Sequence, residues 1–456
     1  MLTHREEKRD TPIVEDVDVV VCGGGPAGIA AAIACARQGA RTRLIELHGS
    51  LGGVWTTGAL SWIIDSADKP GIMAEITSRL DARDARRLRA PEGKNYAYDV
   101  EEMKLLLDEM CGEAGVEIRL LTRVVGAARD SENRLSVVIT ESKSGREAWH
   151  AKVFVDATGD GDLGALCGCG FDVGHPETGD VQPMSLMALI TGLQFDEIEP
   201  YVGGSMVEPK QRLSALMEEI GVSPSYGHPT LFRIRDNLFA LMANHQYGVK
   251  CDDANAITEA MIRARREIHI QVVALRAHGG VWSDMRVVAT GAQIGVREGR
   301  RIHGRYEVTG EDLLRGARFE DAVCRVTMGI DVHSTDPKKT KIVEAKPHRS
   351  QPYDIPLRAL IARDVDGLLM AGRCISGDFI AHSSYRVTGN AVAMGQAAGV
   401  CAARAALSNR LPHEVPWCEV KAALDVINGV TGPMVKKTGE RYIKAEQADC
   451  GTNCLH

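Results

Sequence analysis

The sequence predicts an α/β protein in which a Rossmann-type domain is interrupted by an inserted mixed α+β domain. An apolar run, a glycine turn and an alanine-rich stretch follow one another between residues 17 and 38. The pattern becomes mixed from about 171 to 350, and a strand, glycine and helix pattern then returns between 366 and 406. We therefore predict a first domain made of residues 17–170 and 351–410, an inserted domain at 171–350, and a C-terminal helix and tail at 411–456.

The amino-terminal segment predicts one complete βαβ unit. Val17–Cys22 is a short β-rich run that leads directly into Gly23-Gly24-Gly25-Pro26-Ala27-Gly28. Gly39 ends the alanine-rich helix, and Thr42–Leu47 reads as a second buried strand that carries Glu46 near its end.

The remaining elements follow from the spacing of apolar residues. Asp99–Ala114 has the 3.6-residue period of a helix with one buried face. Shorter β-rich runs predict further strands, and two alanine-rich or amphipathic stretches predict long helices. The predicted strands are 116–121, 135–140, 149–155, 184–193 and 366–376, and the predicted long helices are 254–277 and 390–406.

Composition argues against several classes of protein. The formal net charge of -7 gives no general attraction to nucleic acid or to an anionic membrane. Residues 1–16 lack the apolar core of a signal peptide, and no run is long enough to span a membrane, so we expect a cytoplasmic protein. The twelve cysteines are then expected to be reduced thiols. Cys450, Cys454 and His456 in the tail could together hold a metal ion, but the prediction is that the protein has no metal site.

The glycine turn has the spacing of a dinucleotide site. In Gly23-x-Gly25-x-x-Gly28 the first glycine allows the tight turn, the second lets the backbone approach a pyrophosphate, and the third allows close packing of helix on strand. The helix that begins at Pro26 and Ala27 then points its positive end at the phosphates. Glu46 follows Gly28 by 18 positions, where an acid that binds ribose hydroxyls is expected.

Further glycine-bearing segments favour FAD over NAD. The pair Gly52-Gly53 resembles the flavoprotein loop that runs beside the pyrophosphate and flavin. Two later strand ends resemble the segments that return to the same FAD in the glutathione-reductase-like fold. Only one complete fingerprint occurs, so we predict no separate NAD(P) domain. Beyond the first turn and Glu46, the predicted FAD contacts are Gly52, Gly53, Val124, Ala157, Thr158, Gly159, Asp160, Gly372, Arg373, Gly389 and Asn390.

Six further segments have a pattern in common with a known family, and they are GGVWTTGALSWIIDSADKPGIMAEI, ATGDGDLGAL, QPMSLM, IGVREGRRIHG, YDIPLRALIARDVDGLLMAGRCIS and AMGQAAG. Through them the chain resembles the FAD-dependent oxidoreductase family, whose substrates are largely unassigned, from about residue 17 to 410. The resemblance implies noncovalent FAD and a substrate domain over the flavin. Family members often carry two histidines after the AGRCIS segment, but here Phe379 occupies the first place and only His382 remains.

The stretch 378–386 is the predicted source of catalytic groups. We interpret it as a loop between the late FAD strand and the final helix, with His382 as a base, Arg386 as a cation for an acidic substrate or developing oxyanion, and Tyr385 as an orienting group. The alternative is that His382 is a loop histidine with its hydrogen bonds satisfied and Arg386 is a structural ion-pair partner.

Other polar clusters receive less specific interpretations. Arg297, Arg300 and Arg301 could form an anion site, but a solvated face or a brace at the domain junction is favoured. Cys167, Cys169 and Cys374 lack CxxC spacing, which argues against a disulfide relay. The tryptophans Trp55, Trp62 and Trp282 are expected to be core residues or pocket walls.

These observations favour a dehydrogenase or oxidase that moves a hydride between flavin N5 and a small polar organic substrate, with an electron acceptor that the sequence does not identify. The alternatives are a non-redox FAD protein and a sulfur-transfer enzyme resembling thiazole synthases, for which Cys374 is the one candidate cysteine. Motifs of the DGxxSxxR and WxWxIP types are absent, which disfavours a hydroxylase or halogenase. We expect no nucleic-acid or membrane partner, and self-association into a homo-oligomer stays open.

Overall fold

The computed structural model describes residues 3–4, 7–88, 95–204, 206–336 and 350–429. Its strands are β1 Ile13–Cys22, β2 Thr42–Ile45, β3 Trp62–Ile63, β4 Arg86–Leu88, β5 Tyr96–Tyr98, β6 Glu117–Arg119, β7 Arg123–Arg129, β8 Leu135–Ser142, β9 Gly145–Asp156, β10 Phe171–Asp172, β11 Ala188–Thr191, β12 Thr230–Arg235, β13 Leu238–Met242, β14 Arg286–Thr290, β15 Arg301–Ile302, β16 Ala322–Val326, β17 Tyr353–Pro356 and β18 Leu368–Met370. Its α-helices are α1 Pro26–Arg37, α2 Ile72–Ala82, α3 Val100–Ala114, α4 Asp162–Leu166, α5 Phe195–Ile198, α6 Val207–Glu219, α7 Ala254–His278, α8 Gly310–Arg315, α9 Phe379–Tyr385, α10 Thr388–Ser408 and α11 Trp417–Asn428.

The largest sheet is an α/β sheet with a parallel centre. Strands β6, β2, β1 and β9 are neighbours in that order and run parallel, and β8 and β7 continue the sheet as an antiparallel pair. The carboxyl-terminal half of β1 is buried on both faces, as expected for a parallel strand covered by helices on each side.

Strand β9 brings distant parts of the chain together at its carboxyl-terminal end. Its first half pairs with β8, whereas its last three residues pair in parallel with β18, more than 200 positions later. Cys22 of β1 and Met370 of β18 are both in register with Asp156 of β9. The glycine-bearing turns that follow these three strands therefore lie side by side.

Helices α1 and α10 pack closely because glycines of α10 lie along their contact. A Cβ atom on Gly395 would lie 2.0 Å from the carbonyl oxygen of Ala27, and one on Gly399 would lie 2.2 Å from that of Ala31. The helices can approach this closely only without those side chains, and this packing fixes the start of α1 beside the turn after β18.

A second sheet with its own core faces the first. The antiparallel strands β12, β13, β11 and β14, together with α6 and α7, form a region that we call the cap. Helix α7 buries one stripe at helical spacing, and its members are Ala260, Ala264, Ile268, Val272 and Leu275.

Most of the predicted elements are confirmed, with shifts at their ends. Helix α3 is capped at its start by the Asp99 carboxylate, which accepts backbone N–H bonds from Glu101 and Glu102. The strand predicted at 184–193 is shorter, at Ala188–Thr191. Helix α10, predicted at 390–406, begins at Thr388, two residues before the predicted start.

The interpretation of 378–386 as a loop is wrong. Residues 379–385 form α9, which begins where the Asp378 carboxylate accepts the backbone N–H of Ala381. The helix is almost entirely buried, so most of its side chains point into the protein interior.

Two further findings concern only the described residues. No helix there is both long and apolar enough to cross a membrane. No group of three or more histidine, cysteine, aspartate or glutamate side chains there could hold a metal ion. Cys450, Cys454 and His456 lie outside the described part of the chain.

Candidate active site

A cavity of about 610 Å³ lies between the parallel sheet and the cap. One part of its wall consists of the turns that follow β1, β9 and β18, with Glu46 at the end of β2. The other part comes from the cap, the segment 328–333 and the start of α10. The ends of the parallel strands are where ligands bind in open α/β sheets.

The glycine turn has the geometry that its sequence requires. Gly23 has a φ of +99°, and a Cβ on Gly28 would lie 1.7 Å from the Gly23 carbonyl oxygen, so both positions need glycine. A Cβ on Gly25 would meet no atom within 4 Å and would project into open space beside the cavity. Helix α1 begins here with no side-chain cap, which leaves its first N–H groups for a ligand.

Glu46 is buried at the cavity wall and is held by backbone groups. Its carboxylate accepts N–H bonds from Gly24 and from His48, the latter at 2.8 Å. These bonds fix the acid beside the glycine turn. Each carboxylate oxygen has a second lone pair that can accept a hydroxyl.

Arg373 links the turns after β9 and β18. Its guanidinium donates to the Gly159 carbonyl and, at 2.6 Å, to the Asp160 carboxylate, and it also contacts the Val296 carbonyl. Burial raises the pKa of Asp160, and the attraction of Arg373 opposes that rise. Arg373 therefore braces the cavity wall while also lining it.

Most of the predicted cofactor residues line this cavity, and four do not. Those that line it are Gly23, Gly25, Pro26, Ala27, Glu46, Gly53, Val124, Ala157, Thr158, Gly159, Asp160, Gly372 and Arg373. Gly28, Gly52, Gly389 and Asn390 lie behind the wall. Gly28 serves helix packing, and a Cβ on Gly389 would lie 2.3 Å from the Asp65 carbonyl oxygen. The N-terminal end of α10 still lines the cavity, through Val387, Thr388 and Ala391.

The predicted catalytic residues separate into two groups. Arg386 lines the cavity, but His382 and Tyr385 do not. His382 is fully buried in α9, with its ring edge-on to Tyr385 at 5.5 Å between centroids, and the Tyr385 hydroxyl donates to the Ile375 carbonyl. Burial, reinforced by nearby Arg301 and Arg386, holds the pKa of His382 well below its usual range. The structure therefore gives both residues an interior position, because the segment folds as a buried helix.

A different set of rings lines the cap side of the cavity. Tyr226 lies 4.3 Å from His245 and 6.0 Å from His333, measured between ring centroids, and His228 lies 6.1 Å from it. Tyr226, His228 and His333 line the cavity, and His245 packs behind them. These residues cannot be recognised as a group from the sequence, because they lie in three separate segments that only the fold brings together.

Asp331 orients His333. The His333 Nε2 atom lies 3.4 Å from the Asp331 carboxylate, and its Nδ1 atom is buried and has no hydrogen-bond partner among the described residues. Burial and the nearby Arg297 lower the pKa of His333 to about 4 although Asp331 opposes this. The ring is therefore neutral near pH 7, and the carboxylate favours the tautomer with the proton on Nε2.

Arg386 is bound on several sides by the protein. It donates to the carbonyl oxygens of Arg297 and Asp331 and to the Gln182 side chain, at 2.8 to 3.1 Å. Its guanidinium also lies 3.6 Å from the Asp331 carboxylate. Burial lowers the pKa of Arg386 to about 10, so it remains charged near pH 7.

The three neighbouring arginines at 297–301 have different roles. Arg300 pairs with Asp162, and buried Arg301 pairs with Glu298, so both brace the structure as favoured by the sequence. Arg297 instead lines the cavity. It donates through Nη1 to the Pro183 carbonyl and the Ser185 hydroxyl.

An apolar wall completes the cap side. Trp62 and Phe232 lie 5.1 Å apart between ring centroids, and Met187 and Met242 extend the same surface. Trp62 is thus a pocket wall, whereas Trp55 and Trp282 are buried core residues, which confirms the interpretation of the three tryptophans.

No cysteine of the described ranges lines the cavity. Cys374 is fully buried, its thiol lies 3.4 Å from the Asp156 carbonyl oxygen, and burial raises the pKa of that thiol well above its usual value. The thiolate needed for sulfur transfer is therefore disfavoured at this position.

The fold and the cavity define a Rossmann-type dinucleotide-binding protein. A family model described as FAD dependent oxidoreductase matches residues 18–424, and the chain belongs to that family. FAD is accordingly its cofactor. The open space beside Gly25, the uncapped start of α1 and the position of Glu46 fit that cofactor.

Comparison with characterised proteins adds partial similarities. Thiamine thiazole synthases from Methanococcus maripaludis and Methanococcus vannielii are each 30% identical over 32% of this chain. The chain spans 57% and 56% of those two relatives. A geranylgeranyl bacteriochlorophyll reductase-like structure from Thermoplasma acidophilum shares 12% identity, covering 91% of this chain and 83% of its own, with a TM-score of 0.45. The flavin-dependent monooxygenase PieE shares 13% identity, covering 88% and 59%, with a TM-score of 0.46.

Proposed function

We propose that the protein is an FAD-dependent dehydrogenase or oxidase that transfers a hydride between FAD and a small polar organic substrate. The observation that carries the proposal is one continuous cavity lined by both the dinucleotide turns and titratable cap-side groups. FAD, when bound, accepts or returns the hydride. Oxygen or another electron acceptor completes the cycle.

The cofactor end is assigned to the glycine turn, the strand ends and Glu46. We propose that the α1 N-terminus and the Gly25 backbone bind the pyrophosphate, since free N–H groups and the helix dipole favour negative charge there. Glu46 is the proposed acceptor for the adenosine ribose hydroxyls. Arg373 and Asp160 hold the two later turns in place.

We assign the role of accepting the substrate proton to His333 instead of His382. When an alcohol or amine loses a hydride, its O–H or N–H proton must also leave, and a carbonyl or imine forms. The neutral His333 ring lines the cavity and can accept that proton once its buried Nδ1 atom turns toward the substrate, while Asp331 stabilises the resulting imidazolium. His382 has no such access, because it lies behind the wall.

Anaerobic mixing of the FAD-loaded protein with a panel of alcohols, amines and hydroxy acids tests the proposal, with loss of the oxidised flavin absorbance as the readout. With a substrate in hand, His333→Gln should slow flavin reduction about 10²- to 10⁴-fold with unchanged FAD content. His382→Gln should remain within a few-fold of wild type. Equal slowing in both variants, or reduction at the wild-type rate by the His333 variant, would contradict the assignment.

A further inference from the structure

Arg297 has no carboxylate partner among the described residues, unlike four arginines that lie near it in the sequence or in the cavity wall. Arg300, Arg301, Arg373 and Arg386 all lie within ion-pair distance of an aspartate or glutamate. Arg297 forms no such pair with any of the described residues, and its only side-chain hydrogen bonds are those of Nη1 to Pro183 and Ser185.

The unpaired side of this guanidinium belongs to the cavity. Its Nε and Nη2 atoms donate to no acceptor in the described ranges, yet they are not sealed in the interior, and Arg297 lines the cavity wall. A half-buried charge without a charged partner is unfavourable, and an Arg fork with two free donor positions matches a planar carboxylate.

The charge of the surrounding wall agrees with an anionic occupant. Lys210, Arg297 and Arg386 line the cap side, and Asp331 is the one carboxylate that accompanies them among the described lining residues there. Burial lowers the pKa of Lys210, and the attraction of Asp331 opposes that fall. Three cations against one carboxylate leave an excess that a ligand anion can neutralise.

Another part of the cap-side wall is apolar. Trp62, Phe232, Met187 and Met242 offer rings and thioethers with no charge to satisfy. A ligand that fits both surfaces has a carboxylate at one end and an aliphatic or aromatic body at the other.

We propose that the cap side of the cavity is a binding site for an organic carboxylate with an apolar body, and that Arg297 binds its carboxylate group. The identification of this anion as the substrate rests on the proposed hydride transfer, but its binding does not. Arg386 contributes positive charge, and its own hydrogen bonds to Gln182 and Asp331 keep it in place.

Binding of benzoate and of its neutral isostere benzamide to the FAD-loaded protein tests the site, by calorimetry and by perturbation of the flavin spectrum. Wild type should bind benzoate at least about tenfold more tightly than benzamide. Arg297→Gln should lower benzoate affinity about 10- to 100-fold and leave benzamide unchanged. Arg297→Lys should retain part of the preference, because it keeps the charge without the planar fork.

The matched control is Arg286→Gln, an exposed arginine on β14 of the same cap, which should bind both probes as wild type does. FAD content verifies that each variant is folded. Equal affinities for benzoate and benzamide in wild type, an undiminished preference in Arg297→Gln, or tighter binding of phenyl phosphate than of benzoate would overturn the proposal. A carboxylate preference in a protein whose flavin no tested compound reduces would support the site and count against the proposed hydride transfer.

Discussion

At the scale of single residues, the spacing of the glycine fingerprint was enough to predict a turn that lines the cavity, and we propose that the cofactor binds there. Gly23, Gly25 and Gly28 were predictable because each answers a local backbone requirement that leaves a signature in sequence. His228, His333 and Arg297 carry no such signature. Their grouping depends on where the cap strands lie, and a lone histidine in the sequence gives no information about its neighbours.

The position of His382 has a consequence for stability that can be measured. A histidine in the unfolded chain has a pKa near 6.5, whereas burial holds the pKa of His382 well below that in the folded protein. Below about pH 6.5 the unfolded chain therefore binds a proton that the folded protein does not, and the free energy of unfolding falls as the pH falls. Above that pH the effect disappears.

We expect His382→Gln to remove about 1.4 kcal/mol per pH unit from the slope of the unfolding free energy between pH 6 and pH 5. Urea denaturation at fixed FAD concentration measures the slope. Tyr385→Phe is the control, since it removes the neighbouring hydroxyl bond but no group that titrates in this range. A slope that His382→Gln leaves unchanged would contradict the buried, neutral state of this ring.

At the scale of elements, helix α9 shows where sequence reasoning failed. A short polar segment that follows a glycine-rich strand end reads as a loop, but the Asp378 cap and the burial of its residues produce a helix. Seven residues are too few for an apolar period to be recognised. The longer elements α3, α7 and α10 were predictable, because each repeats its pattern over several turns.

Because α1 packs closely on α10, we expect a glycine-to-alanine substitution to change the free energy of unfolding in opposite directions in α10 and in α3. Gly399→Ala places a Cβ 2.2 Å from the Ala31 carbonyl oxygen and should lower the free energy of unfolding by about 1–3 kcal/mol. Gly112→Ala in α3 meets no atom within 4 Å and should raise it by about 0.5–1 kcal/mol, through helix propensity. Denaturation of both variants at equal FAD concentration checks the signs, and two changes of the same sign would disprove the packing argument.

At the scale of the whole molecule, the register of β1, β9 and β18 explains how segments far apart in sequence form one site. The α/β class and the mixed insertion could be predicted from the alternation of strand, glycine and helix patterns. The chemistry of the cap side could not, because it arises where the cap, the segment 328–333 and α10 meet. In the proposed function, the parallel sheet therefore supplies the cofactor end of the cavity, and the cap selects the substrate.

The central claim is that one cavity holds FAD at the strand ends and leaves the flavin ring open toward Arg297, Arg386 and His333. A crystal structure of the FAD-loaded protein tests this most directly. The account predicts density for the pyrophosphate at the start of α1, for the adenosine ribose at Glu46, and for the flavin ring beside the cap side of the cavity. A flavin ring directed away from these three side chains, or separated from them by a closed protein wall, would contradict it.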